Sequence, residues 1–299
     1  MNPRSRDAPH MEKQTERVAI VCESTACLPP GLVQRYRIGV LPIPFVFGIE
    51  TCLDGVDLTA EQFYEKLALG RTPPATSPPS PGEYVQAWRA AAHDAGGADA
   101  VVAVTVDSKI STLQRSAQQA EELAEQALRG TRVVVVDSRS AGMGQGFVAL
   151  AAARAAAACL PLEQVVAAEC ISRRVRLVVT LDTLEYQARA SRIPQVAAIL
   201  GGVLAIKPII QIAGGDIRPV ARVRTRRRAI EPVFEQMRQH VPEGQRTRGR
   251  AARMRSCRGG RSGGTCARQL RLRGGLYYRV HAGDGRLLRA RVAWVGLLW

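Results

Sequence analysis

Histidine is scarce. Four occur in 299 residues, His10, His93, His240 and His281, and none follows an apolar strand. A histidine-based nucleophilic triad therefore has no support, and no GxSxG follows an apolar strand to make an elbow. No GxxxxGK[ST] phosphate loop is present. The seven cysteines are odd in number and form no CxxC, which excludes a zinc site of ordinary spacing and a disulfide framework and fits reduced thiols. Long apolar runs are missing too. FVALAAARAAAACL is broken by Arg154 and is too short to span a bilayer. MNPRSRDAPHMEKQTER has no apolar core of a secretory signal, and Met11 is a second candidate start. These absences point to a cytoplasmic protein without an integral membrane segment, beginning with a disordered tail over 1–16.

Acid is missing from one region. Residues 246–299 hold 14 Arg, no Lys and one acid, Asp284. They carry +13 of the formal +16, which leaves 28 basic and 25 acidic side chains elsewhere. An acidic partner such as nucleic acid is thus a question about the tail alone.

What is present is an alternation of strands and helices. RVAIVCE (17–23) reads as a buried strand, and Pro29 and Pro30 open a helix. VLPIPFVF (40–47) reads as a second strand near a sheet edge because it carries two prolines. Thr59 and Gln62 form a capping box for EQFYEKLAL. RTPPATSPPSPG (71–82) is a rigid loop, followed by a helix to about Ala95. Strands over 98–106 and 131–138 flank a long helix that SKIST (108–112) opens, and an Ala-rich helix starts near Met143. A second block reads helix, strand (176–182), two helices, strand (206–212), hairpin (217–223) and a helix over 226–240. The fold expected is two-domain α/β: a parallel α/β/α sheet over 17–158, and a mixed-sheet α/β domain over 159–245 that is incomplete. Residues 244–275 show neither helical nor strand periodicity.

Two features bear on chemistry. GMGQG (142–146) follows a strand and opens a helix, as a dinucleotide loop does, but it is GxGxG without an acidic partner on a following strand. It is either a nucleotide loop or a tight turn. Hydroxyls gather in TSPPSPGEY (76–84) and SKIST (108–112). A Ser or Thr before a helix either caps it or, at the carboxyl end of a parallel sheet, anchors a carboxylate.

ESTACLPPGL (23–32), VDLTAEQFYEKL (56–67), ATSPPSPGEY (75–84), SKIS (108–111), VVDSRSAGMGQG (135–146), DTLEY with SRI (182–193), LAIKPII (204–210) and VRTRRRAI (223–230) follow one another along the chain. In this order they resemble the DegV family of bacterial fatty-acid-binding proteins. The resemblance implies one long-chain fatty acid in a tunnel between two domains. It implies a carboxyl group presented to a fatty-acid kinase, which forms the acyl phosphate for phospholipid metabolism. It implies no catalysis by this chain, no cofactor and no metal. By position, Thr76 and Ser111 match the hydroxyls that hold the carboxylate, and Arg192 matches a basic residue of the ligand or partner site. Arg224, Arg226, Arg227 and Arg228 form either a solvated face or a docking patch for an acidic partner. The chain departs from the family pattern at Glu23 and Cys27, where Asp is usual. It departs again at Pro78 for Gln, Thr112 for Gly, and Ala190–Ser191 for a glycine pair. The Cβ of Thr112 is expected to crowd the carboxylate beside Ser111.

The family's closing strand, helix and Gly-rich motif are not legible after Gln245. Shifted by one nucleotide, 279–296 can be back-translated to EFTPVMGAYSGPGLLGLA, which restores that motif. The tail over 246–299 is accordingly read as an out-of-frame, poorly ordered segment, with a nucleic-acid-binding arm as the alternative and no specific nucleic acid expected.

Overall fold

The computed structural model describes residues 16–69, 74–181, 207–240, 266–271, 277–282 and 292–297. The first domain is a four-stranded parallel sheet in the order β2 (Gly39–Leu41), β1 (Val18–Glu23), β6 (Ala100–Thr105), β7 (Arg132–Asp137). β1 and β6 are apolar almost throughout because both faces are covered. Ala19 and Val21 pack with α3 (Pro81–Asp94) and α4 (Leu113–Ala127) around Trp88 and Ala120. Ile20 and Cys22 point the other way, into a core built by α5 (Met143–Ala157), α6 (Leu162–Val166) and the partly buried side of α1 (Pro30–Tyr36). The period-two alternation of one strand thus feeds two cores.

The chain leaves β1 through α1 for β2 on one side and reaches β6 on the other. The strand order therefore reverses between β1 and β6. A crevice at the carboxyl ends of those strands is where ligands gather in open α/β sheets.

VLPIPFVF, read as one strand, is two. Its first part is β2, and β3 (Pro44–Phe47) enters a separate antiparallel sheet between β4 (Glu50–Leu53) and β5 (Ala75–Thr76). Pro42 and Pro44 each lack an N–H, so the chain changes sheets there. Phe45 and Phe47 pack on Phe63 of α2 (Ala60–Leu69), with ring centroids 4.7 and 5.8 Å apart. The expected capping box opens that helix: Gln62 N–H donates to Thr59 Oγ1 at 3.2 Å, and Thr59 N–H to Gln62 Oε1 at 2.8 Å.

The second domain carries an antiparallel sheet in the order β10 (Asp216–Val223), β9 (Lys207–Ala213), β8 (Arg176–Leu181), β13 (Val292–Leu297). One face, with Val178 and Ile209, packs on Ala229 and Val233 of α7 (Arg226–His240). The other face, with Leu177, Val179, Ile210 and Ile212, meets Ile110 and Ala141 of the first domain. The tail over 246–299 was expected to be poorly ordered; among its described residues are three strands. β11 (Cys266–Arg271) pairs with β12 (Tyr277–Ala282), and β13 covers the edge of β8. VAWVGL is apolar throughout, which suits it to a sheet edge that needs a partner.

Candidate carboxylate-binding site

The two candidate hydroxyls sit on segments that converge at the carboxyl ends of β1 and β6. Thr76 is half-buried on β5, opposite Phe45 of β3. Ser111 is half-buried in the turn after β6. The carbonyl of Asp107 accepts the N–H groups of Ile110 and Ser111 at 3.0 and 3.2 Å, which winds the chain into that turn. Ser111 Oγ accepts the N–H of Leu113 at 3.3 Å. Among the described residues no acceptor takes its hydroxyl proton, which an anionic oxygen would accept.

Three contacts tie the segments together. Ser116 of α4 donates to the carbonyl of Pro79 at 2.5 Å. Tyr84 of α3 reaches the carbonyl of Leu113 at 3.4 Å. Ile43, next to β3, is buried against Leu113 and Val106, and its N–H donates to Ser24 Oγ at 3.1 Å. Ser80 fixes the end of the Thr76 loop: Glu83 N–H donates to its Oγ at 3.3 Å, and its own N–H donates to Glu83 Oε2 at 2.7 Å.

The second domain touches this site through the β9–β10 turn. Gly215, at φ +83°, donates its N–H to the carbonyl of Arg139 at 2.9 Å. Lys109 pairs with Asp216 at 3.2 Å, both largely exposed. Asp107 is 1 % exposed; its Oδ1 accepts Lys109 N–H at 2.8 Å, while Oδ2 has no hydrogen-bond partner among the described residues. Burial pushes its carboxyl above the ordinary range.

Thr112 takes an ordinary backbone conformation (φ −84°, ψ 0°) and is exposed. Its backbone has no need of glycine, and its side chain faces solvent, so the expected crowding of Ser111 does not arise. Cys27 adopts φ +50° and closes the short turn after β1 with its N–H on the carbonyl of Ser24 at 3.0 Å.

A group missed by sequence reading lies at the switch point itself. Glu23 is 1 % exposed. It accepts Tyr84 Oη–H at 3.0 Å, Gln145 Nε2–H at 2.5 Å and Val106 N–H at 3.3 Å. Burial pushes its carboxyl up to about 7, against the lowering effect of those hydrogen bonds. The available signal was an acid ending an otherwise apolar strand, RVAIVCE.

GMGQG is accounted for by packing. Gly142 has φ +52° and ψ −138°, which favours glycine. A Cβ on Gly144 would lie 1.9 Å from Ser140 Oγ, and one on Gly146 would lie 2.6 Å from the carbonyl of Ala26. Residues 143–150 are all buried. The start of α5 is therefore filled by protein where a dinucleotide loop would take phosphate.

Arg192 lies outside the described residues. Arg224 and Arg228 are exposed, and Arg226, Arg227 and Arg228 form the first turn of α7. That helix covers the face of the second sheet turned away from Ile110 and Ala141, so the arginine run and the Ser111 turn belong to opposite faces. The exposed Arg228 in that first turn opposes the helix dipole and does not serve to stabilise the helix. A cleft of about 490 Å³ lined by Arg89, His93, Gln126 and Arg129 lies at the amino ends of the strands, away from both hydroxyls. Among the described residues no group of three or more His, Cys, Asp or Glu is placed to hold a metal. Among the same residues no helix is long and apolar enough to cross a membrane.

Comparison with known proteins places this architecture. The "DegV domain-containing protein" of Mycobacterium bovis is 35% identical over 226 residues, covering 75% of this chain and 76% of the relative. The solved "Fatty Acid Binding of a DegV family Protein from Thermus thermophilus" superposes with a TM-score of 0.66 at 29% identity, over 75% of this chain and 77% of that one. "DegV, a fatty acid binding protein from Bacillus subtilis" gives 0.66 at 28% identity, over 75% and 78%. A family profile described as "Uncharacterised protein, DegV family" matches residues 17–255. With the first domain and the second as far as residue 255 spanned by that match, the chain belongs to the DegV family.

Proposed function

We propose that this protein binds one long-chain fatty acid between its two domains and presents the carboxyl group to a fatty-acid kinase. The observation that carries the reading is the convergence of the Thr76 and Ser111 segments at the switch point. Beside them an apolar seam runs from Ile110 and Ala141 to Leu177 and Ile210. The solved relatives whose titles name fatty acids support the ligand class. Neutral hydroxyls suit a carboxylate that must react further. They satisfy its hydrogen bonds, whereas a tight ion pair would hold back the oxygen that attacks phosphate. The acyl chain contributes by burial, about 0.8 kcal/mol per CH₂, so a chain of about sixteen carbons binds tightly without further polar contacts. In this reading Arg192 belongs to the ligand or partner site. The cluster Arg224, Arg226, Arg227 and Arg228 docks the acidic surface of the kinase. The chain acts as a carrier and not as a catalyst.

The test is lipid extraction and native mass spectrometry of the full-length protein, with binding of oleate and palmitate measured beside it. One fatty acid per chain is expected. Protein that stays empty at saturating oleate and palmitate would sink the reading.

A further inference from the structure

Glu23 is surrounded by groups that can give a proton but, with one exception, cannot take one. Gln145 uses both hydrogens of its amide, on Glu23 Oε2 and on the carbonyl of Val104 at 3.0 Å, while its Oε1 accepts Thr25 Oγ1–H at 2.8 Å. Val106 offers only its N–H. Both of these donors sit on Oε2, so a proton on the acid belongs on Oε1, where the hydroxyl of Tyr84 is the acceptor in reach. A hydroxyl that accepts there must turn its own hydrogen elsewhere. The second acceptor beside it is the carbonyl of Leu113, at 3.4 Å. Leu113 is also the residue whose N–H rests on Ser111 Oγ at 3.3 Å.

We propose that Tyr84 is a positioning residue for the Ser111 hydroxyl, and that the proton on Glu23 decides which way Tyr84 donates. With Glu23 ionised, Tyr84 donates to the carboxylate, and the Leu113 peptide is held only by its helix and by Ser111. With Glu23 protonated, the acid donates to Tyr84, Tyr84 donates to Leu113, and the Ser111 turn is drawn onto α3. Nothing is gained or lost but the one proton taken from solvent. The chain of contacts runs Glu23, Tyr84, Leu113, Ser111, all within the first domain. Its bearing on ligand affinity rests on Ser111 being the carboxylate anchor proposed above.

Both arrangements are populated near neutral pH because burial raises the Glu23 carboxyl into that range. Two of the groups that face it stay protonated across that range. Tyr84 on α3 and Cys22 on β1 are held protonated by burial and by the Glu23 charge itself. Gln145 is what α5 presents, and Leu41 is its partner on β2. At the end of β6, Asp107 follows Val106 and is likewise raised by burial; Glu23→Gln, which leaves Asp107 in place, separates its effect on the Val106 and Gln114 amides from that of Glu23.

The experiment is an amide NMR titration of the full-length chain without lipid, from about pH 5.5 to about pH 8.5, a range that brackets the raised carboxyl. The amide of Val106 reports the charge on Glu23. The amide of Gln114 shares a peptide unit with the Leu113 carbonyl and reports the Tyr84 bond. Both should shift with one midpoint in the wild type. Glu23→Gln should flatten both. Tyr84→Phe should keep the Val106 shift and lose the one at Gln114. A flat Gln114 beside a titrating Val106 would overturn the proposal, as would no titration at either amide or an unchanged Gln114 shift in Tyr84→Phe. The wild-type titration decides the matter even where a variant folds poorly. A failure to bind lipid would strike the proposed function and leave this result untouched.

Discussion

Ser111 has one lone pair committed to Leu113 N–H and one proton to give. Removing the hydroxyl by Ser111→Ala should weaken fatty-acid binding by roughly 10- to 150-fold, the worth of about 1.5–3 kcal/mol for a hydrogen bond to a charged group. The matching fatty alcohol should lose much less, because its head is uncharged. A titration of each ligand against wild type and variant checks this, and equal losses for acid and alcohol would argue against a carboxylate at Ser111. Glu23 makes a separate prediction about stability. Its folded pKa, about 7, lies above the ordinary value of 4.5. Between those values the folded state holds more protons than the unfolded one. Stability therefore falls as pH rises from about 4.5 to about 7, by up to roughly 3 kcal/mol from this group alone. Urea midpoints at pH 5 and pH 8 should differ more for wild type than for Glu23→Gln. Glu23 was visible in the sequence as an odd ending to an apolar strand and as a departure from the family's usual Asp, but not as a member of a buried network. Its partners are 61, 83 and 122 residues away, and no local pattern joins them.

Elements whose signal is local were the legible ones. The Thr59–Gln62 box, the Pro30 start of α1, the parallel strands and the β9–β10 hairpin all follow from nearby residues. The three-stranded sheet β4–β3–β5 was not legible, because its strands are two to four residues long and β5 joins across a proline-rich loop. GMGQG looked like a nucleotide loop because tight helix–strand packing and phosphate binding both call for glycine at the same turn. The packing reading has a direct check. Gly144→Ala places its Cβ against Ser140 Oγ and should cost about 1–3 kcal/mol, as overpacking does. A drop in the urea midpoint is expected, and an unchanged midpoint would show that the helix has room to spare. Ser80, which caps α3 beside the Thr76 loop, should cost about 1 kcal/mol as Ser80→Ala. Melting temperature records it, and no change would mean the capping box adds nothing.

At the scale of the whole molecule, two charge regimes share one chain. The family match ends at residue 255, while the arginine-rich stretch begins at 246 and runs to the end. A body with 28 basic and 25 acidic side chains has no electrostatic reason to hold nucleic acid, whereas a tail with 14 arginines does. Any retention of DNA by the full chain should therefore be independent of sequence. It should collapse between about 50 and about 200 mM salt, as counterion release requires, and should vanish in a chain ending at Gln245. The shortened chain also loses β13 and bares the edge of β8, so it should scatter more light at equal concentration. Fluorescence anisotropy of a labelled duplex across the salt series measures the first effect, and light scattering measures the second. Tight, sequence-selective DNA binding that survives about 200 mM salt would make the tail a recognition arm. Weak, salt-erased binding leaves it as charge without a partner. Reading the gene around the codon of Gln245 then decides its origin: an extra or missing base there supports the shifted frame, and an uninterrupted frame through Trp299 removes it.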